Sequence, residues 1–281
     1  MPGTLVLCST PIGNLGDVSH RLVETLSAAD VIYAEDTRRT NTLLARIGVD
    51  TPARSYFVGN ERARSVELAH RLGRGETVAF VTDAGTPAVS DPGVSAIRAA
   101  VEVGAEITVV PGPSAVTAAL AVSGFDADRF VFEGFLPRRG RRRRERLERI
   151  AEETRTVVLF AAPHRIAADL ADLADLAGER ELVVARELTK RHEEVWRGTV
   201  AEAARHWGAE VEPRGEFTLV LAGAERRRGD LGVALDLVFD EIAEGARLSD
   251  AVRDVAEEVG VSRRLLYEAA LERRSAERGG T

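Results

Sequence analysis

The stretch "FVTDAGTPAVSDPGVSAIRAA", residues 80–100, runs from an apolar segment through a cluster of turn formers into an alanine-rich helical segment. A strand that ends in aspartate and glycine just ahead of a helix is the repeating joint of an α/β sheet. The same order recurs on both sides. "GTLVLCS" leads through "TPIGNLGD" into "VSHRLVETLSAA", and "DVIYAED" leads into "TRRTNTLLARIG", where Gly48 reads as a helix C-cap. "ARSYFV" precedes "ERARSVELAHRLGRG", and "EITVVPG" precedes "SAVTAALAVSG". These five βα units predict a parallel sheet with helices packed on it, filling residues 1–125 as a first domain.

The pattern then changes. Four strands ("RFVFEGFL", "RTVVLFAA", "ELVVARELT", "GEFTLVLAGA") and the helical "RIAADLADLADLAG" predict a second α/β domain with a mixed sheet over 126–225. "EEVWRGTVAEAARHW" starts extended and turns helical. "ERRRGD", 225–230, reads as a polar linker, and residues 231–281 read as a helical tail. There Val252, Val255, Ala256 and Val259 share a helix face, Gly260 gives a turn, and Ser262 caps a second helix. Alanine four residues before the glycine makes the arrangement helix-turn-helix-like, although a hairpin that only packs on the body fits as well.

The bulk properties narrow the function classes. The 281 residues are 44% hydrophobic and 30% charged, with a net charge of −7, as in ordinary globular proteins. No apolar run approaches the roughly eighteen residues of a membrane span, and "MPGTLVLCSTPIG" lacks the basic and long apolar regions of a signal peptide. Cys8 is the one cysteine, so no internal disulfide forms, and a buried thiol in a reducing, cytoplasmic compartment is expected. The five histidines (20, 70, 164, 192, 206) show no metal-ligand spacing with it, and no metal site is predicted. Lys190 is the single lysine, so arginine abundance carries little weight. Arginine clustering carries more: "PRRGRRRRERLERI", 137–150, holds eight arginines in fourteen residues.

Ligands of open α/β sheets lie beyond the carboxyl ends of the parallel strands. Three Gly- and Pro-bearing turns fall there: "STPIGNLGD", "TDAGTP" and "PGPSA". Their backbone N–H groups suit a nucleoside-type cofactor. Gly13 and Gly16 give only G-x-x-G, and no Walker motif is present, which disfavours a dinucleotide enzyme or a P-loop NTPase. Asp91, Pro92 and Gly93 read as a helix entrance, with Asp91 the N-cap and Pro92 the first helical residue.

Taken in order, "STPIGNLGD", "AEDTR", "TDAGTPAVSDPG", "PGPSA", "FEGFLP" and "RELTK" resemble the small-subunit ribosomal RNA ribose methyltransferase I family of the tetrapyrrole-methylase superfamily. The resemblance runs from about residue 4 to 224, and the tail resembles that family's C-terminal domain. It implies two α/β domains with S-adenosylmethionine between them, a homodimer, and methylation of a cytidine ribose 2′-hydroxyl in the decoding region of 16S ribosomal RNA in the small subunit. It also implies a cofactor cradle of Asp83, Ala84 and Gly85, flanked by Pro11 and Gly13, by Ser114 and Ala115, and by Ala161 and Thr218. Two positions depart from the family pattern: Ala161 stands where glutamate is common, and Gly59 where histidine is.

A ribose hydroxyl is a poor nucleophile near neutral pH, so a positioned base would help. Candidates are Glu35 and Asp36 at the end of the second strand, Glu61 after the third, and His164, with Arg38 able to hold a phosphate bidentately. The alternative for Glu35 to Arg38 is an acidic helix start, set behind the functional reading because the run sits at the ligand edge of the sheet, and His164 reads equally as a local hydrogen-bonder. Arg141, Arg142, Arg143 and Arg144, with Arg263 and Arg264 in the tail, are the candidate RNA contacts, the plain alternative being a solvated charge run. Rival functions are methylation of another acceptor, such as a tetrapyrrole or a translation-factor residue, and a non-catalytic RNA-binding assembly factor on the same fold.

Overall fold

A computed structural model describes residues 2–209, 213–225 and 230–279; residues 226–229 of the expected linker lie outside the described residues. The chain divides into two compact units, Met1–Gly223 and Ala224–Thr281.

The first unit opens with strands β1 (Thr4–Cys8), β2 (Val31–Ala34), β3 (Ala53–Ser55), β4 (Thr77–Val81) and β5 (Glu106–Val110), which pair in parallel in the order β3-β2-β4-β1-β5. Helices α1 (His20–Ala28), α2 (Thr37–Ile47), α3 (Glu61–Gly73) and α4 (Val94–Glu102) connect them. The central strands are buried on both faces, as their unbroken apolar runs require. Leu22, Leu26 and Leu44 of α1 and α2 pack with Val6 and Cys8 on one face. Leu68, Leu72, Ala96 and Ala100 of α3 and α4 pack with Leu5 on the other. Burial pushes the Cys8 thiol up to about 12, so it is an inert apolar filler. Gly48 ends α2 at φ +71.

Strands β6 (Phe130–Phe135), β7 (Thr156–Ala161), β8 (Glu181–Arg186), β9 (Glu194–Thr199) and β10 (Phe217–Leu221) form a second sheet, ordered β6-β7-β10-β8-β9. Only β6 and β7 run parallel, so the sheet is mixed. One face is covered by α6 (Arg141–Glu152), α7 (Ile166–Ala177) and α8 (Val200–Gly208), with Trp207 at its centre. The other packs on α5 (Ala115–Ser123) through Val116, Ala119 and Leu120. Strand alternation decides what faces the first sheet: Phe217, Leu219 and Leu221 turn to the helices, and Val220 turns the other way.

The second unit comprises α9 (Leu231–Ala243), α10 (Leu248–Val259) and α11 (Arg263–Gly279) around their own core of Ala234, Val238, Val252, Val255, Leu266 and Ala270. Gly260, at φ +73, ends α10, and its N–H donates to Ala256 O at 3.1 Å. Ser262 Oγ accepts from Leu265 N at 3.4 Å, as a cap does. No helix among the described residues is long and apolar enough to cross a membrane.

Candidate active site

Strands β1 and β4 are neighbours, yet their following helices pack on opposite faces of the sheet. Their turns therefore diverge and leave a crevice at the sheet's carboxyl edge. A two-way bridge holds the turns together there: Thr10 N–H donates to Gly85 O at 2.9 Å, and Gly85 N–H to Thr10 O at 3.1 Å. The crevice opens into a cleft of about 350 Å³ facing the second sheet. Ile12, Glu35, Arg39 and residues 83–86 line it from the first sheet, and Ser114 and Ala115 from the start of α5. Phe135, Phe160, Ala161 and Thr218 line it from the second. Phe160 and Thr218 are cross-strand partners in β7 and β10.

Its polar groups divide into engaged and free ones. Asp83 Oδ1 accepts from Asp36 N at 3.0 Å, and Asp83 Oδ2 pairs with Arg39 Nη1 at 3.2 Å. Burial, then the Asp83 charge, pushes the Glu35 carboxyl up, while a hydrogen bond from the Asp83 backbone partly offsets this. Burial and the charges of Glu35 and Asp83 hold Asp91 at about 7. The Ser114 side chain makes no cap bond, so α5 presents first-turn N–H groups uncapped by that hydroxyl at the cleft wall. Among the described residues no group of His, Cys, Asp and Glu is arranged to hold a metal ion.

The cleft thus gathers Glu35, Asp83, Ala84, Gly85, Ser114, Ala115, Ala161 and Thr218 from the residues singled out in the sequence. Pro11 and Gly13 flank Ile12, which lines it. Gly13 is closely packed, since a Cβ there would lie 2.3 Å from Lys190 Cγ. Lys190 bonds Glu187 at 2.8 Å and Glu216 at 3.0 Å, and Glu216 lines the cleft. Asp36 caps α2 and pairs with exposed Arg38 at 2.8 Å, which holds its carboxyl down at about 2. Glu61 is held in another cluster, accepting from Ser95 Oγ, which also bonds Tyr56. His164 is exposed beside Pro163, which lines the cleft.

Three charged lining residues, Arg39, Asp91 and Glu216, were not among the site candidates of the sequence. Arg39 follows Arg38 and is set on the cleft side by the register of α2. Asp91 is not the N-cap of α4: that place belongs to Gly93 at φ +141, and Asp91 lines the cleft. The residues around Asp91 adopt left-handed conformations, which a strand-turn-helix pattern does not reveal.

The arginine run is a helix, α6. Arg141, Arg142 and Arg144 are exposed, Arg141 pairing with Glu145 at 2.6 Å. Arg143 corrects the expectation of an RNA contact: it is buried, with Asp169 at 2.9 Å, Asp172 at 2.6 Å and Pro137 O at 3.0 Å. Its position on the α6 core stripe with Leu147 and Ile150 is the reason. Arg263 and Arg264 stand exposed in the first turn of α11, Arg264 pairing with Glu268 at 3.0 Å.

A family model described as Tetrapyrrole (Corrin/Porphyrin) Methylases matches residues 4–204, and one described as RsmI C-terminal HTH domain matches residues 230–274. The ribosomal RNA small subunit methyltransferase I of Synechocystis sp. is 46% identical over 274 residues, covering 96% of this chain and 98% of that one. Its counterpart in Mycobacterium tuberculosis (strain CDC 1551 / Oshkosh) is 44% identical over 282 residues, covering 99% and 98%. Among solved structures, a diphthine synthase superposes with a TM-score of 0.60 at 16% identity, over 78% of this chain and 89% of that one. A uroporphyrin-III C-methyl transferase from Thermus thermophilus, complexed with S-adenyl homocysteine, gives 0.56 at 18% identity, over 78% and 97%. At these identities the solved structures show a shared fold.

Proposed function

The chain belongs to the ribosomal RNA small subunit methyltransferase I family, and from that premise we propose that it methylates a cytidine ribose 2′-hydroxyl in the decoding region of 16S ribosomal RNA, using S-adenosylmethionine. The observation that carries the reading is the cleft between the two sheets. It combines apolar walls with a short row of backbone and hydroxyl groups, as a nucleoside-sized cofactor requires.

The residues present fit that cofactor. Gly85, at φ +79, and Ala84 bring bare backbone to the cleft, and Asp83 is fixed in place by Arg39 and the Asp36 N–H. The α5 N-terminus at Ser114 and Ala115 offers N–H groups suited to a carboxylate. Phe160, Ala161 and Thr218 supply the facing wall, while Ile12 stands beside Gly85 in the turn of Pro11 and Gly13, which packs against Lys190. When bound, the cofactor supplies an electrophilic methyl group on a sulfonium. The protein then has to orient a hydroxyl toward it, exclude water and accept a proton.

Arg141, Arg142 and Arg144 on one face of α6, with Arg263 and Arg264 on α11, are suited to ribosomal RNA phosphates. A homodimer working in the cytoplasm completes the proposal; the buried, unpaired Cys8 suits a reducing compartment. The test is transfer from labelled cofactor to small subunits lacking ribose methylation, followed by mapping of cleavage-resistant riboses. A single protected cytidine is expected. Label on protein or a tetrapyrrole, or cofactor binding without transfer to subunits, would overturn the reading.

A further inference from the structure

The segment between β4 and α4 carries two non-glycine residues in the left-handed region, Ala88 at φ 67 and Ser90 at φ 63. Such residues persist only where the surroundings hold them, and they gather at functional sites. Here the turn is held by Ala88 N–H to Pro92 O at 3.2 Å and Val89 N–H to Thr86 O at 3.3 Å. Room comes from β6, where Gly134 lies at a register shift and a Cβ would stand 3.0 Å from Ser90 Oγ. The outcome of this distortion is the placement of Asp91, half-buried, in the cleft wall.

Two other acidic groups of the wall are engaged, Asp83 with Arg39 and the Asp36 N–H, and Glu216 with Lys190. Burial and the Asp83 charge push the Glu35 carboxyl up, and the Asp83 backbone pulls it partly back. Among the described residues Asp91 has no hydrogen-bond or ion-pair partner, and its charged neighbours across the cleft include the carboxylates of Glu35 and Asp83. Arg39, the cation of this wall, is engaged with Asp83.

Resting on the methyl-transfer reading above, we propose that Asp91 is the base that accepts the proton of the attacking hydroxyl. The O–H bond breaks toward an Asp91 carboxylate oxygen as the O–CH₃ bond forms. The C–S bond of the sulfonium donor breaks with its electron pair left on sulfur as a neutral thioether. The proton then passes from Asp91 to water. Burial and two neighbouring carboxylates hold Asp91 at about 7, so it is substantially ionised at neutral pH yet far more basic than an ordinary aspartate.

The experiment compares wild type, Asp91→Asn and Asp91→Glu in single-turnover methylation of small subunits across neutral pH, with calorimetric titration of S-adenosylhomocysteine. Wild-type rate should rise with pH and level off above about 7. Asp91→Asn should lose about 10²- to 10⁴-fold in rate, lose that pH dependence and keep its affinity, and Asp91→Glu should recover part of the rate. An Asn variant with the wild-type rate and profile would overturn the proposal.

Melting of the ligand-free proteins supplies a readout that does not depend on the acceptor. The folded protein holds the Asp91 proton up to about 7, whereas the ordinary value is 3.8, so this group's ionisation lowers stability as pH rises between them. Asp91→Asn should therefore melt higher than wild type above neutrality, and the gain should vanish toward pH 3.8. Equal melting at every pH would sink the proposal even if the subunits are methylated. A wild type that leaves subunits unmethylated while showing the melting gain would overturn the acceptor reading and leave the basic Asp91 standing.

Discussion

At Gly85 the backbone sits at φ +79, in the region that L side chains avoid, although the space beside it is not closed. A Cβ would meet Ile12 Cγ2 at 3.6 Å and Pro113 O at 3.9 Å, ordinary contacts. Gly85→Val is therefore expected to act through backbone strain of about 1–2 kcal/mol and through branches crowding the cleft. The variant should fold, with a slightly lower melting temperature, and lose most of its S-adenosylhomocysteine affinity by calorimetry. Unchanged affinity in the folded variant would remove Gly85 from the cradle. This residue was legible because a glycine among turn formers at a strand end has few other uses. Asp91 was not: "DPG" ahead of a helix is also how a capped helix begins, and only the φ of Gly93, +141, gives the cap to another residue.

Among the elements, α6 separates two kinds of arginine within one turn. Arg143 replaces a hydrophobe on the stripe it shares with Leu147 and Ile150, and its removal would leave Asp169 buried without its closest cation. Burial already pushes the Asp169 carboxyl up, against the pull of Arg143 and Arg165. Arg143→Gln should cost about 3 kcal/mol of stability, measured by denaturant unfolding. Neutralising Arg141, Arg142 and Arg144 together should leave stability nearly unchanged. It should reduce the salt slope of RNA binding by about 2. An unchanged slope would make the exposed arginines a solvated face. The βα repeats were legible because each strand is buried on both faces and so written as an apolar run. The helix α6 was not, because one position of its buried stripe is an arginine and an apolar period is invisible there. The third strand was read too long, as "ARSYFV". The strand proper ends at Ser55, Tyr56 N–H makes one last bond to Ala34 O of β2 at 2.7 Å, and Phe57 already opens the turn that leads to Asn60.

At the scale of the whole molecule, each unit carries its own apolar core: that of the first ends with the strand Phe217–Leu221, and that of the second runs from Ala234 to Ala270. Deleting residues 230–281 should leave a body that folds and binds S-adenosylhomocysteine, with a melting temperature close to that of the full chain. Its single-turnover methylation of small subunits should fall far more than its stability, because Arg263 and Arg264 leave with the helical unit. Unfolding of the truncated chain, or methylation at the full-length rate, would deny the tail a role in RNA recognition.

Lys190 gives the chain a handle of a different kind. It is the single lysine of 281 residues, and its aliphatic stem lies on Gly13 in the turn that carries Ile12 into the cleft. Burial opposes its charge, but the carboxylates of Glu187 and Glu216 outweigh that and hold the ammonium above its ordinary range, which keeps it a poor nucleophile. An amine-reactive dye should thus acylate this side chain slowly, and faster in Glu216→Gln, where one of the two bonds is gone. Reductive methylation with ¹³C-formaldehyde would place one lysine signal beside the cleft, turning a sequence nearly emptied of lysine into its own spectroscopic probe.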